Sequence, residues 1–185
     1  MMTTPDIFTN VHKGIRRALF TACVAVGAAS GDEAREAAAR ATLRSALGFV
    51  AQHGDNEDVL LVPRLRDAAP EVAKRMDEAH RVITPALEAL TARAPHADAM
   101  SLYHETCAFI ALYLAHMGEE EIELAPLIRS AIPADALVAF ARESVARTAP
   151  EDARAMLGFM IPAMTKADAD AMLDRLPPNV AAAFR

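Results

Sequence analysis

His53-Gly54-Asp55-Asn56-Glu57 and His116-Met117-Gly118-Glu119-Glu120 are the two stretches on which the fold of this chain turns. Each sets a histidine and a glutamate four residues apart, a spacing that places both on one helix face, about 40° apart around the axis. The copies also agree downstream. Pro63, Arg66 and Pro70 follow the first pair at the spacing with which Pro126, Arg129 and Pro133 follow the second, and Leu61 and Ala68 match Leu124 and Ala131. The segments ahead repeat as well: His12, Ile15, Ala18 and Leu19 correspond to His80, Ile83, Ala86 and Leu87. Such self-similarity describes one supersecondary unit used twice. Here the unit is a helical hairpin with a histidine on its first helix and His-x-x-x-Glu on its second.

The rest of the chain supports helices. Apolar residues at helical spacing run from Ile7 to Ala29 and stop at Ser30-Gly31-Asp32. A second, longer helix is predicted from Glu33 to Ala69, with Pro70 as its limit, and a third from Glu71 to Arg93. After the loop Ala94-Pro95-His96-Ala97, Asp98 is placed to cap a fourth helix reaching Ile132. Beyond Pro133 shorter pieces follow: Asp135 to Arg147, one opened by Pro150-Glu151-Asp152, and one capped by Thr165 with Asp168 and closed before Pro177-Pro178. The expected fold is all-α, an antiparallel up-down four-helix bundle over residues 1–132 with a helical extension over 133–185. Met156, Leu157, Met160 and Met164 give that extension an apolar face, fitted to cover the bundle or to pair two subunits as a homodimer.

Composition agrees. The 185 residues carry 5% aromatics, no Trp and 7 Gly, a balance that favours helix over sheet. A net charge of −6 without a dense Lys/Arg block argues against nucleic acid as a partner. No stretch reaches the ~20 apolar residues of a membrane span. Lys13, Arg16 and Arg17 before the apolar run Ala18–Ala29 imitate a secretory signal, but Asp6 interrupts the charged region and the run belongs to the repeat. Cys23 and Cys107 read as small buried hydrophobes, consistent with a reducing cytoplasm.

Packed as a bundle, the two hairpins direct six side chains, His12, His53, Glu57, His80, His116 and Glu120, toward one interior volume. An unpaired carboxylate there costs several kcal/mol, whereas cations offset its charge and bind neutral imidazole at once. Two carboxylates can bridge two ions and four imidazoles can terminate them. Mixed N/O ligation suits iron or manganese, and zinc also accepts it.

Over roughly residues 8–132 these residues resemble the hemerythrin-like, or HHE cation-binding, family, with its pattern H…HxxxE…H…HxxxE and the acidic pair and downstream proline seen here as Glu119-Glu120 and Pro126. The resemblance implies a non-haem diiron centre with an oxo or hydroxo bridge. His12 and His53 would hold one iron, His80 and His116 the other, with Glu57 and Glu120 bridging. The chain departs from the oxygen carriers of the family in two places. Thr84 stands where they have a second histidine on the third helix, and Pro85 after it disfavours a regular turn. Their last carboxylate falls at the position of Glu121, but Glu120 repeats the spacing of Glu57 and is preferred.

His96 lies in a Pro-containing loop, and His104 sits about 120° around its helix from His116, so both are left outside the site. Tyr113 faces the same way as His116 and reads as a core ring within reach of bound ligand. Asp58, Glu119 and Glu121 read as a solvated acidic face. The preferred function is a protein that binds or senses dioxygen, nitric oxide or iron at a position left open by Thr84, with no catalytic residue assigned. The alternatives are a diiron enzyme acting on peroxide, dioxygen or nitric oxide with Tyr113 or Thr84 as proton partner, and a metal-stabilised interaction module.

Overall fold

The computed structural model describes residues 6–185, and among these it is helical without strands. Helix α1 (Thr9–Gly27) begins where the Asp6 carboxylate accepts hydrogen bonds from the backbone N–H groups of Phe8 and Thr9. It ends in a tight loop in which Gly31 takes a φ of +85°, a conformation open to glycine and strained for other residues. Asp32 caps α2 (Glu33–Asn56) by accepting from the Arg35 N–H. A π-helical turn, Glu57–Leu61, then carries the same rod into α3 (Val62–Ala68). Helix α4 (Pro70–Arg93) returns antiparallel, with Pro70 in its first turn, where a missing N–H costs nothing. Asp98 caps α5 (Ala99–Glu119), a second π turn spans Glu120–Leu124, and α6 (Ala125–Ala131) completes the fourth rod.

Helix α1 packs on α2 and α5, and α4 closes the ring against α2, α3 and α5. The apolar faces fill the inside in two clusters, above and below the middle of the bundle. One is built around Ile15, Leu19, Leu43 and Leu47, the other around Leu61, Leu65, Met76 and Ile128, and all eight are closed to solvent to within 2%. The run Ala18–Ala29 is part of this interior: Ala18, Leu19, Ala22 and Val26 are buried. Among the described residues no single helix is long and apolar enough to cross a membrane.

The π turns occupy equivalent places in the repeat, and in each the first N–H of the following helix, on Val62 or Ala125, bonds back five residues to the carbonyl of Glu57 or Glu120. In a regular α-helix a four-residue spacing drifts around the axis with every step. The wider turn resets that drift, so Leu61 stays inward after His53 and Glu57, and Leu124 after His116 and Glu120. Proline at position 63 or 126 tolerates the altered bonding because it has no N–H to place.

Pro85 does not interrupt its helix. α4 runs unbroken through it, contrary to the irregular turn expected there. Pro85 and Arg81 both sit on the solvent face, so the Arg81 carbonyl left without its N–H partner faces water.

After Ile132 the chain turns by 118° into α7 (Ala134–Arg147). Arg147 donates to Asp55 at 2.6 Å and to Asn56 at 3.3 Å, and Arg64 donates to Glu143, so α7 is tied to the second rod beside its π turn. Helix α8 (Pro150–Met160) lies against α1, and α9 (Lys166–Leu173) and α10 (Pro178–Ala181) follow. Gly14 makes the α8 contact possible: a Cβ there would stand 2.5 Å from Met160 Cγ and 3.1 Å from its Cα. Cys23 and Cys107, read from the sequence as small buried hydrophobes, are only half-buried and meet between α1 and α5 with their sulfurs 3.5 Å apart.

Candidate metal centre

Between the two apolar clusters lie His12, His53, Glu57, His80, His116 and Glu120, none more than 7% exposed. All six side chains singled out from the sequence converge on this one box. Each glutamate divides its oxygens between two pairs of histidines. Glu57 Oε1 lies 3.2 Å from His53 Nε2 and its Oε2 3.6 Å from His80 Nε2. Glu120 Oε2 lies 3.4 Å from His12 Nε2 and its Oε1 3.3 Å from His116 Nε2. The result is two four-atom clusters, His12/His53/Glu57/Glu120 and His80/His116/Glu57/Glu120, in each of which the donor atoms lie within 4.8 Å of one another.

The donor atoms suit metal-ion binding. Both oxygens of Glu57, both of Glu120, and His80 Nε2 are buried without a hydrogen-bond partner, a cost no fold sustains without compensation. His12 Nδ1 meets the Glu121 carboxylate at 3.0 Å and His80 Nδ1 meets Asp58 at 2.5 Å. Each carboxylate holds a proton on Nδ1, leaving the Nε2 lone pair aimed inward. His12 Nε2 accordingly faces His53 Nε2 at 3.0 Å. Two atoms bound to one ion at about 2.1 Å and at 90–110° lie roughly 3.0–3.4 Å apart, a range that holds these contacts except His80–Glu57, which is slightly longer at 3.6 Å.

Electrostatics point the same way. Burial, reinforced by the charge of Arg16, depresses His12 to about 3, and burial with neighbouring His80 does the same to His116. Burial also holds His53 well below the ordinary imidazole value. Glu57 and Glu120 are pushed well above the carboxylate range, first by burial and then by other carboxylates, Glu120 acting on Glu57 and Glu119 on Glu120. Neutral imidazoles are ready ligands, and carboxyls reluctant to ionise become willing once a cation sits between them.

Asp58 and Glu121, expected on a solvated acidic face, instead orient the histidines of the opposite hairpin. Glu121 is held in turn by Arg16, whose guanidinium donates to its two oxygens at 2.7 and 2.9 Å. Only Glu119 of that group turns outward, to Arg75. The repeat held the missed signal: Asp58 and Glu121 each follow the buried glutamate by one residue. His96 and His104 are exposed, outside the box. Tyr113 is buried, its ring stacked on Phe109 and set edge-on to His116, with centroids 5.7 and 5.6 Å away.

A ring of four helices enclosing paired His/Glu clusters defines a cation-binding bundle. The chain belongs to the hemerythrin HHE cation-binding family, whose model matches residues 3–128. Comparison with curated proteins and with solved structures finds no match.

Proposed function

We propose that this protein holds two iron ions, one ligated by His12 and His53 and the other by His80 and His116, with Glu57 and Glu120 bridging, and that it binds or senses a small ligand there. The observation that carries this reading is the division of each glutamate between the two histidine pairs. A single ion would use one oxygen of each and strand the other. Iron fits the balance of imidazole and carboxylate better than a softer, thiolate-seeking metal. When bound, a non-haem diiron pair supplies reversible redox chemistry and a coordination position for dioxygen, nitric oxide or peroxide.

The chain's own residues bind, orient and exclude. Asp58 and Glu121 fix the histidine tautomers, Arg16 neutralises Glu121, and the clusters above and below keep bulk water from the bridging carboxylates. Tyr113 keeps its phenolic proton, since burial and then the nearby Glu57 and Glu120 raise its pKa well above the ordinary value. No further acid or base is buried beside the box among the described residues, which favours binding or sensing over catalysis.

Metal analysis of the protein as isolated, and after anaerobic loading with ferrous iron, tests the assignment. Two ions per chain are expected, with about one lost in His53→Ala and one in His116→Ala. Unchanged metal content in both variants overturns it.

A further inference from the structure

The two halves of the box differ in what separates them from solvent. A cavity of about 490 Å³ opens between α2 and α4 and reaches His80, His116 and Tyr113. Its walls are mainly apolar, formed by Val50, Ala51, Ile83 and Leu87, with Gly54 and Thr84 flanking the approach to the histidines. At Gly54, which lines the cavity, an added Cβ would find nothing within 4 Å, so there is room for a side chain there.

The internal repeat shows what closes the other half. The counterpart of Thr84 is Arg16, which spans to Glu121 in front of His12. The counterpart of Gly54 is Met117, fully buried, whereas that of Glu88 on the cavity wall is Phe20, which is half-exposed and takes no part in the closure. Phe8, 1% exposed, packs 5.3 Å from the His12 ring. Arg16, Met117 and Phe8 therefore fill one side of a pseudo-symmetric site, where Thr84 and Gly54 leave its partner open.

Charge restricts what can pass. Asp58 and Glu88 line the cavity along with its apolar walls, as does Asp55, whose charge is offset by Arg147. Carboxylates there repel anions, and the apolar surface beyond rewards a molecule without charge.

We infer that an uncharged small ligand of the diatomic or peroxide class reaches the His80/His116 position through the α2/α4 cavity, while the His12/His53 position is closed to it. The inference rests on the two-ion reading above and adds which half of the site takes ligand, by which route, and with what charge.

Two substitutions plug the cavity without touching a proposed ligand. Gly54→Leu adds a side chain to open space and removes a helix-interior glycine, so the variant folds at least as readily. Thr84→Arg copies Arg16 and brings a guanidinium to Asp58. Phe20→Ser, on the closed side, is the control. Iron content is measured first, then the association rate of nitric oxide with the ferrous protein by stopped-flow absorbance. At equal iron content, both plugs should slow association at least tenfold and Phe20→Ser should leave it unchanged. Azide should bind the ferric protein far more weakly than nitric oxide binds the ferrous form.

A readout without metal accompanies this. Xenon pressurised into the metal-free protein should shift the methyl resonances of Val50, Ala51 and Leu87, and Gly54→Leu should abolish the shifts. Plugged variants that hold iron and bind nitric oxide at the normal rate overturn the inference, as does iron-loaded wild-type protein that binds none. Wild-type protein without iron refutes the two-ion reading itself, and the metal analysis shows that before any ligand is added.

Discussion

Asp58 accepts a hydrogen bond from His80 Nδ1 at 2.5 Å although the two residues belong to different hairpins, and Glu121 does the same for His12 at 3.0 Å. Each half of the chain thus orients an imidazole of the other. Carboxylates behind metal-bound histidines set tautomer and ring angle, and losing one typically costs 10–100-fold in metal affinity. Asp58→Asn and Glu121→Gln should each weaken iron binding by about that factor in competition with a chelator. The Asp58 change should act on the His80/His116 ion alone. Equal loss of both ions in Asp58→Asn would contradict this division.

The metal-free protein should lose stability as pH rises through neutrality. Below about 6.5 the unfolded chain protonates histidines that His12 and His116, held near 3, keep neutral in the fold, so acid destabilises. Above about 4.5 the fold retains protons on Glu57 and Glu120 that the unfolded chain releases, so base destabilises. Beyond the histidine range only the second effect remains. Urea midpoints of metal-free protein should fall as pH rises beyond the histidine range toward the raised pKa of the two carboxyls, and iron-loaded protein should hold its midpoint because cations replace those protons. A metal-free midpoint that climbs over this interval would show the carboxyls to be ionised without metal.

Gly14 is the seat of α8. Gly14→Val drives a side chain into Met160 and Phe49 and should cost about 1–3 kcal/mol, seen as a lower urea midpoint and faster proteolysis in the 148–150 connection. Met160→Ala placed on top should recover part of the loss. If the double variant is no better than the single one, the clash lies elsewhere.

Cys23 should resist alkylation. Burial and the adjacent Cys107 sulfur raise its thiol to about 11, so the reactive thiolate is scarce at neutral pH. Iodoacetamide labelling of folded protein, followed by mass spectrometry, should be slow at about pH 8 and accelerate roughly tenfold per pH unit toward that value. A rate already on its plateau at pH 8 would mean a thiol of ordinary acidity.

The ligand pattern was legible in the sequence because a repeat fixes relative position: once His12 is equivalent to His80, a list of residues becomes a site with internal symmetry. Helix limits were legible for the same local reasons that form them, as with Asp32, Asp98 and Thr165, each of which accepts the backbone hydrogen bond expected of a cap. Three features were not. The π turns arise from tertiary demand on which face Leu61 and Leu124 present, and composition does not record it. The roles of Asp58 and Glu121 depend on which helix each one faces, and an acid beside a buried glutamate has the same local sequence whether it meets water or a histidine. Continuity through Pro85 turned on whether the carbonyl it leaves unpaired faces solvent, a matter of burial and not of residue type.

The crossed Asp58–His80 and Glu121–His12 bonds have a consequence for how such a site can change over generations. A lone hairpin lacks both the acid that orients its own histidine and the second pair of imidazoles, so it is only half a workable unit. Two identical hairpins meeting as separate chains would complete the box, but every substitution would then appear twice, and both doors would be shut or both ajar. Fusing the halves into one polypeptide frees them to diverge, one toward a lock built on Arg16 and the other toward a doorway beside Thr84.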